Sequence, residues 1–165
     1  MTLDLDKALA SMKQQLSDYC QQQHIDNPIV VGIHSGGVWV ANEILEAVPT
    51  KEELATLDIT FYRDDFTRAG LHPKVGQTNL PAIEDRHVIL VDDVLMSGRT
   101  IRAAMNEIFD FGRPASITLA ILFDLNSHEL PIRADIVGEH LSLSEKQRIK
   151  LSGPAPLAVS VMETD

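Results

Sequence analysis

The segment Val88-Ile89-Leu90-Val91-Asp92-Asp93-Val94-Leu95-Met96-Ser97-Gly98-Arg99-Thr100 constrains the fold more than any other part of the chain. Val88 to Val91 read as a strand buried on both faces, ending at the two acids. Val94 to Gly98 form a turn. Ile101, Ala104, Met105, Ile108 and Phe109 then recur at helical spacing, closed by Gly112 with Pro114 two residues on. A buried strand that feeds an amphipathic helix is the repeating unit of a parallel sheet covered by helices.

The rest of the chain follows the same alternation. Leu5, Leu9, Met12, Leu16 and Tyr19 recur at steps of four, three, four and three, which predicts an amphipathic helix. Ile29 to Ile33 is a short apolar strand, His34-Ser35-Gly36-Gly37 a turn, and Val38, Ala41, Ile44, Leu45 and Val48 a helix that Pro49 ends. Leu57 to Tyr62 reads as a second strand, Ser116 to Phe123 as a fourth and Ala134 to Gly138 as a short fifth. No internal repeat, linker or low-complexity stretch interrupts them. The expected fold is therefore α/β, with a mostly parallel central sheet flanked by helices. The 165 residues suit one domain, 1–165, of a size that hides roughly two-thirds of its unfolded surface. Residues from Arg63 to about Pro81 lack periodicity, and unstructured connections beyond about 12–15 residues are uncommon in compact domains. They read as a mobile lid or as a surface insertion or exposed hairpin.

Charge narrows the function. Fourteen Lys and Arg stand against 24 Asp and Glu, a formal net charge of −10. Coating nucleic acid needs a basic surface that displaces counterions, so that class is excluded as the main role, although a local basic patch is not. A single cysteine, Cys20, excludes an internal disulfide framework and a cysteine-based zinc site, and reads as a buried small side chain. The amino-terminal residues lack the basic start and apolar run of a signal peptide, and no apolar stretch approaches the roughly 20 residues that span a bilayer. A cytoplasmic location is expected. The six histidines show no metal-ligand spacing. His34 reads as a packed strand-end residue, Trp39 as packing, and Glu145, Lys146, Arg148 and Lys150 as a solvated edge that is also the best local candidate for a basic contact to base or RNA.

In parallel α/β sheets ligands sit at the carboxyl ends of strands. There the segment from Asp92 to Thr100 offers two chemistries side by side. The turn at a helix amino terminus presents backbone N–H groups and a favourable dipole to an anion, with hydroxyls from Ser97 and Thr100 and close approach at Gly98. Asp92 and Asp93 accept hydrogen bonds, suit sugar hydroxyls and repel phosphate. A ligand carrying a phosphate on a diol-bearing ribose satisfies both. The plainer reading makes Ser97 a helix cap and the acids ordinary strand-end residues.

The segment resembles the phosphoribosyl-pyrophosphate signature of type I phosphoribosyltransferases. Together with Gly112-Arg113-Pro114-Ala115-Ser116, Glu129-Leu130-Pro131-Ile132-Arg133-Ala134-Asp135 and Asp58-Ile59-Thr60-Phe61-Tyr62-Arg63-Asp64-Asp65-Phe66, it is most similar to the PyrR-like subfamily of pyrimidine-operon regulators, which also act as uracil phosphoribosyltransferases. The resemblance runs from about Ile29 to Lys150. It implies the type I phosphoribosyltransferase fold with a small hood, and transfer of a phosphoribosyl group from phosphoribosyl pyrophosphate (PRPP) to uracil, giving UMP and pyrophosphate. It implies Mg²⁺ on the pyrophosphate, possible UMP-responsive binding of an mRNA leader, and assembly as a homodimer or larger.

Carried over by position, Asp92 and Asp93 hold the ribose hydroxyls and are candidates to orient the metal, while Met96, Ser97, Gly98, Arg99 and Thr100 wrap the 5′-phosphate. Ser35, Gly36 and Gly37 match the pyrophosphate loop. Arg63 and Asp64 open the flexible loop of about 63–81, which closes over the reactants. A hood of about 124–150 supplies a base pocket from Asp124 and from the stretch Ser144 to Ile149, including Arg148 and Ile149. The chain departs from its relatives twice. Ser35-Gly36-Gly37 stands where they carry Thr-Arg-Gly, and Asp124-Leu125-Asn126-Ser127-His128-Glu129-Leu130 where they carry Asp-Arg-Gly-His-Arg-Glu-Leu. The lost arginines weaken the RNA expectation more than the catalytic one. A non-catalytic nucleotide sensor and a phosphoribosyltransferase for another base remain alternatives.

Overall fold

The computed structural model describes residues 2–59 and 78–165. Its centre is a sheet of five parallel strands: β1 (Ile29–Ile33), β2 (Ala55–Leu57), β3 (His87–Leu95), β4 (Ser116–Asp124) and β5 (Ile136–His140), in the order β2-β1-β3-β4-β5. Helix α1 (Leu5–Gln22) starts at Asp4, whose carboxylate accepts the Lys7 N–H at 3.0 Å as an N-cap. Helix α2 (Gly36–Ile44) runs into a 3₁₀ turn at Leu45–Ala47, and helix α3 (Arg99–Phe111) follows β3.

Neighbouring residues of a strand face opposite sides, so a sheet covered on both faces needs unbroken apolar runs. Val30, Ile89, Val91, Ala120 and Leu122 pack with Met12 and Leu16 of α1 and Val40 and Ile44 of α2. Val31, Leu90, Leu119 and Ile121 pack with Ile101, Ala104 and Ile108 of α3. Helices α1 and α2 therefore cover one face and α3 the other. The chain moves outward from β1 to β2 and then returns to β3 on the other side of β1. This reversal opens a crevice between the carboxyl ends of β1 and β3, where open α/β sheets bind their ligands.

Two expectations need correction, and a further contact adds to a third. The second strand is Ala55–Leu57 rather than Leu57 to Tyr62, because its pairing partner is β1 (Val31 with Ala55, Ile33 with Leu57). Residues 60–62 lie outside the described residues. The third strand does not end at the acids but continues through them to Leu95, because β4 offers a full-length partner (Asp92 with Ile121, Leu95 with Asp124). The last stretch of the segment read as aperiodic is tied to the sheet: Asn79 exchanges both backbone hydrogen bonds with Thr56, at 2.9 and 3.1 Å, and the Thr78 hydroxyl accepts the Asp58 N–H at 3.0 Å.

An antiparallel hairpin, β6 (Gln147–Ser152) and β7 (Ala158–Glu163), was not anticipated. Ile149, Leu151 and Val159 pack onto the α1–α2 side of the core, while Arg148 and Lys150 alternate to the outside. A Cβ on Gly153, in the hairpin turn, would lie 3.0 Å from the Trp39 ring, which places Trp39 against the turn and bears out its reading as packing. At the free edge of the main sheet, the Gln15 side chain donates to the Val137 carbonyl at 2.7 Å and accepts its N–H at 3.3 Å.

Cys20 is buried in the α1 face, and burial pushes its thiol pKa up. Alkylation by iodoacetamide at neutral pH should therefore follow global unfolding, with no fast phase in the native protein. A fast phase in mass-spectrometric labelling would show the thiol to be open.

Candidate functional site

The crevice brings the two sequence motifs together. At the end of β1, Ser35 precedes α2, and Gly36 and Gly37 are the first residues of that helix. At the end of β3 stand Asp92, 7% exposed, and Asp93, half-buried. A Cβ built on Gly36 would overlap the Asp93 carboxylate, and one on Gly37 would lie 2.5 Å from the Val91 carbonyl and 3.1 Å from Asp92 Oδ1. The two glycines thus seat α2 directly on the acid pair. Only a residue with no side chain permits that approach.

The strand continues through the acids, so their carboxylates take separate places. Asp92 Oδ1 accepts the Asp93 N–H at 2.9 Å, and Asp93 Oδ1 accepts the Val94 N–H at 2.9 Å. Each carboxylate is held by a local backbone donor. The arrangement places two acceptors of fixed orientation beside the crevice.

The turn after β3 is shaped by Gly98, whose φ of 96° lies in the left-handed region that glycine adopts without cost. A Cβ there would also press on Ile132 at 3.3 Å. Ser97 Oγ accepts the Arg99 N–H at 3.2 Å. The first-turn N–H groups of α3 lack intrahelical acceptors, and the helix dipole adds partial positive charge, so the turn suits a phosphate. Met96 is exposed.

The connection between β4 and β5 braces this turn. The Glu129 and Leu130 N–H groups both donate to the Ser97 carbonyl, at 3.0 and 3.2 Å, and Leu125 N–H donates to the Leu95 carbonyl at 3.0 Å. Arg99 pairs with Glu129 at 3.1 Å on the surface. Exposed pairs contribute little, so Glu129→Gln should lower stability by less than about 1 kcal/mol in a denaturant titration, the backbone bonds being retained. A larger loss would show the ion pair to be a main fastening of the turn.

Asp124 ends β4 beside Leu95 and is almost fully buried. Its Oδ1 accepts the Asn126 N–H at 2.9 Å and lies 3.5 Å from His128 Nε2; its Oδ2 lies 3.9 Å from His140 Nδ1. These groups line a cavity of about 430 Å³ with Gln15, Arg133, Asp135 and Val137. Neither His128 nor His140 stands at a spacing that singles it out in the sequence. Their only signal was the four-residue separation of Asp124 and His128, which has no geometric meaning outside a helix.

Of the other anticipated site residues, Arg148 is exposed on the outer face of β6, and Ile149 packs inward on the core. Arg63 and Asp64, with residues 63–77 of the expected lid, lie outside the described residues. Among the described residues, no group of three or more His, Cys, Asp or Glu side chains could hold a metal ion by itself. The hard carboxylate oxygens of Asp92 and Asp93 suit Mg²⁺ that shares its coordination with diphosphate and water, as Mg²⁺ does in phosphate-bearing sites. No helix among the described residues is long and apolar enough to cross a membrane.

Comparison with known proteins identifies the family and the fold. The phosphoribosyl transferase domain model matches residues 3–147. A protein of Pseudomonas paraeruginosa called bifunctional protein PyrR is 58% identical over 152 residues, covering 92% of this chain and 89% of that one. A protein of Pseudomonas fluorescens with the same name is 54% identical, covering 99% and 98%. Among solved structures, a hypoxanthine-guanine phosphoribosyltransferase of Bacillus anthracis superposes with a TM-score of 0.68 at 15% identity, covering 84% of this chain and 80% of that one. A hypoxanthine phosphoribosyl transferase of Trypanosoma cruzi superposes with a TM-score of 0.68 at 19% identity, covering 87% and 78%. At such identities the likeness shows the fold.

Proposed function

The chain belongs to the PyrR family of phosphoribosyltransferases, and from that premise we propose that it transfers the phosphoribosyl group of PRPP to uracil, giving UMP and pyrophosphate. One observation carries the reading: the Asp92–Asp93 pair and the Gly98 turn lie at the end of one strand, and the Gly36–Gly37 helix start is packed against the acids. A phosphoribosyl diphosphate needs those features in that order. The turn from Met96 to Thr100 takes the 5′-phosphate through backbone N–H groups, and Asp92 and Asp93 take the ribose hydroxyls. Ser35, Gly36 and Gly37 offer backbone N–H groups to the diphosphate.

In the reaction the bond from C1 of the ribose to the diphosphate oxygen breaks, a bond from C1 to N1 of uracil forms, and the N1 proton leaves. Positive charge develops on the sugar, where the fixed carboxylates favour it, and negative charge on the departing diphosphate, where helix-terminal N–H groups favour it. Mg²⁺, when bound with the diphosphate, neutralises part of that negative charge. Asp124 serves the base as an acceptor for a ring N–H, within a single domain of residues 1–165 that assembles as a homodimer or larger.

The test is product formation from PRPP and Mg²⁺ with uracil, orotate, adenine and guanine in parallel. Uracil alone should give a nucleotide. Product with another base would reassign the acceptor, and no product with any base would leave a nucleotide sensor without turnover.

The relatives are called bifunctional, which favours a second reading alongside the first: UMP-responsive binding of an mRNA leader. Arg148 and Lys150 on the outer face of β6, with Lys146 before it, are a local basic strip on an otherwise acidic chain. Leader RNA affinity should rise with UMP and fall with salt along a clear slope in filter binding. Weak binding without either dependence would remove this role.

A further inference from the structure

The Asp124 carboxylate is 4% exposed, and a buried charge is costly unless it is paired and hydrogen-bonded. Most side chains around its cavity are committed elsewhere. Arg133 donates to the Leu130 and Ile132 carbonyls, at 3.3 and 3.0 Å. Asp135 accepts the Leu119 N–H at 2.9 Å, and Gln15 is spent on the Val137 backbone. His140 is 60% exposed, with Nδ1 at 3.0 Å from Asn126 Oδ1 and farther, at 3.9 Å, from Asp124.

His128 differs from all of these. Its side chain is 9% exposed, and its Nε2 lies 3.5 Å from Asp124 Oδ1. Its Nδ1 is buried with no hydrogen-bond partner among the described residues. A buried polar atom of this kind is uncommon and calls for an explanation. The ring lines the same cavity as the carboxylate. A second atom in that cavity, from a ligand or a water, would satisfy Nδ1 while Nε2 faces Asp124.

We propose that His128 is a positioning residue for the base: with Nε2–H directed at Asp124, it holds that carboxylate in the orientation that accepts a pyrimidine ring N–H. The inference rests on the reading of Asp124 as a base-pocket residue. His128 stands in the connection between β4 and β5, four residues after Asp124, and lines the same cavity. Imidazole suits the task because one ring nitrogen donates while the other stays free, and the contact at Nε2 selects the tautomer.

The experiment pairs kinetics with spectroscopy. In His128→Ala the KM for uracil should rise about tenfold while the KM for PRPP stays within twofold, since only the base side loses its alignment. His128→Gln, which keeps a donor, should recover most of the loss. In ¹⁵N NMR of the wild-type side chains, His128 should carry its proton on Nε2, and Asp124→Asn should abolish that preference. An unchanged uracil KM in His128→Ala, an equal rise in both KM values, or a proton on Nδ1 in the wild type would each overturn the proposal. If the wild type makes no UMP, the functional reading fails by itself, and the tautomer in wild type and Asp124→Asn still decides whether His128 holds the carboxylate.

Discussion

Asp93→Asn is expected to lower kcat/KM for UMP formation about a hundredfold or more while leaving the thermal midpoint within a few degrees of wild type. The amide keeps the shape of the carboxylate and an oxygen that can accept the Val94 N–H, now met at 2.9 Å by Asp93 Oδ1. What it loses is negative charge beside a sugar that becomes positive at the transition state. Hydrogen bonds to a charged acceptor are about twice as strong as neutral ones. A fixed charge aimed at developing charge is among the largest single contributions an active site makes. A hundredfold loss corresponds to about 2.7 kcal/mol of transition-state stabilisation. Steady-state kinetics with PRPP and uracil, read beside a circular-dichroism melt, separate this from misfolding. Activity within threefold of wild type would remove Asp93 from the ribose site.

The two glycines at the start of α2 should fail in different ways. In Gly36→Ala the new methyl group meets the end of the Asp93 side chain, with Cγ at 2.7 Å and Cβ at 3.2 Å. A side chain can swing away, so the fold should lose less than about 1 kcal/mol while activity falls as far as in Asp93→Asn, because the carboxylate has left its place. In Gly37→Ala the methyl group meets the Val91 carbonyl at 2.5 Å and Asp92 Cα at 3.1 Å. Those atoms belong to the backbone of a buried central strand and cannot yield. Overpacking of this kind costs about 1–3 kcal/mol, so denaturant unfolding should shift clearly to lower concentration. Equal stability loss in the two variants would mean that the acid pair does not respond separately to the packing of α2.

What could be read before folding, and what could not, follows from the range of the interactions. The segment from Val88 to Thr100 was legible because strand, turn and helix are neighbours in the chain, and the periods that mark them are local. Its carboxyl limit was not, since only β4 decides that the ladder continues past Asp93 to Leu95. The start of the second strand was missed for the same reason: Ala55 and Thr56 become strand by pairing with β1. The hairpin was hidden by its own alternation. Arg148 and Lys150 drew the eye to charge, while Ile149 and Leu151 between them need Val161 and Val159 as partners before they read as one face. The pairing of Asp124 with His128 and His140 depends on a connection with no regular structure and on a neighbouring strand, so no spacing in the sequence announces it.

The small bonds at the margins of the sheet bear on how copies of this protein can meet. A strand at an open edge offers free N–H and C=O groups to any other chain and is a common starting point for aggregation. Here the Gln15 amide stands in for a peptide group against Val137 on one side, and Asn79 occupies Thr56 on the other. Both margins are closed in part from within the chain. Growth of the sheet from molecule to molecule is thereby discouraged at Val137 and Thr56, where another chain would have to displace a bond already made.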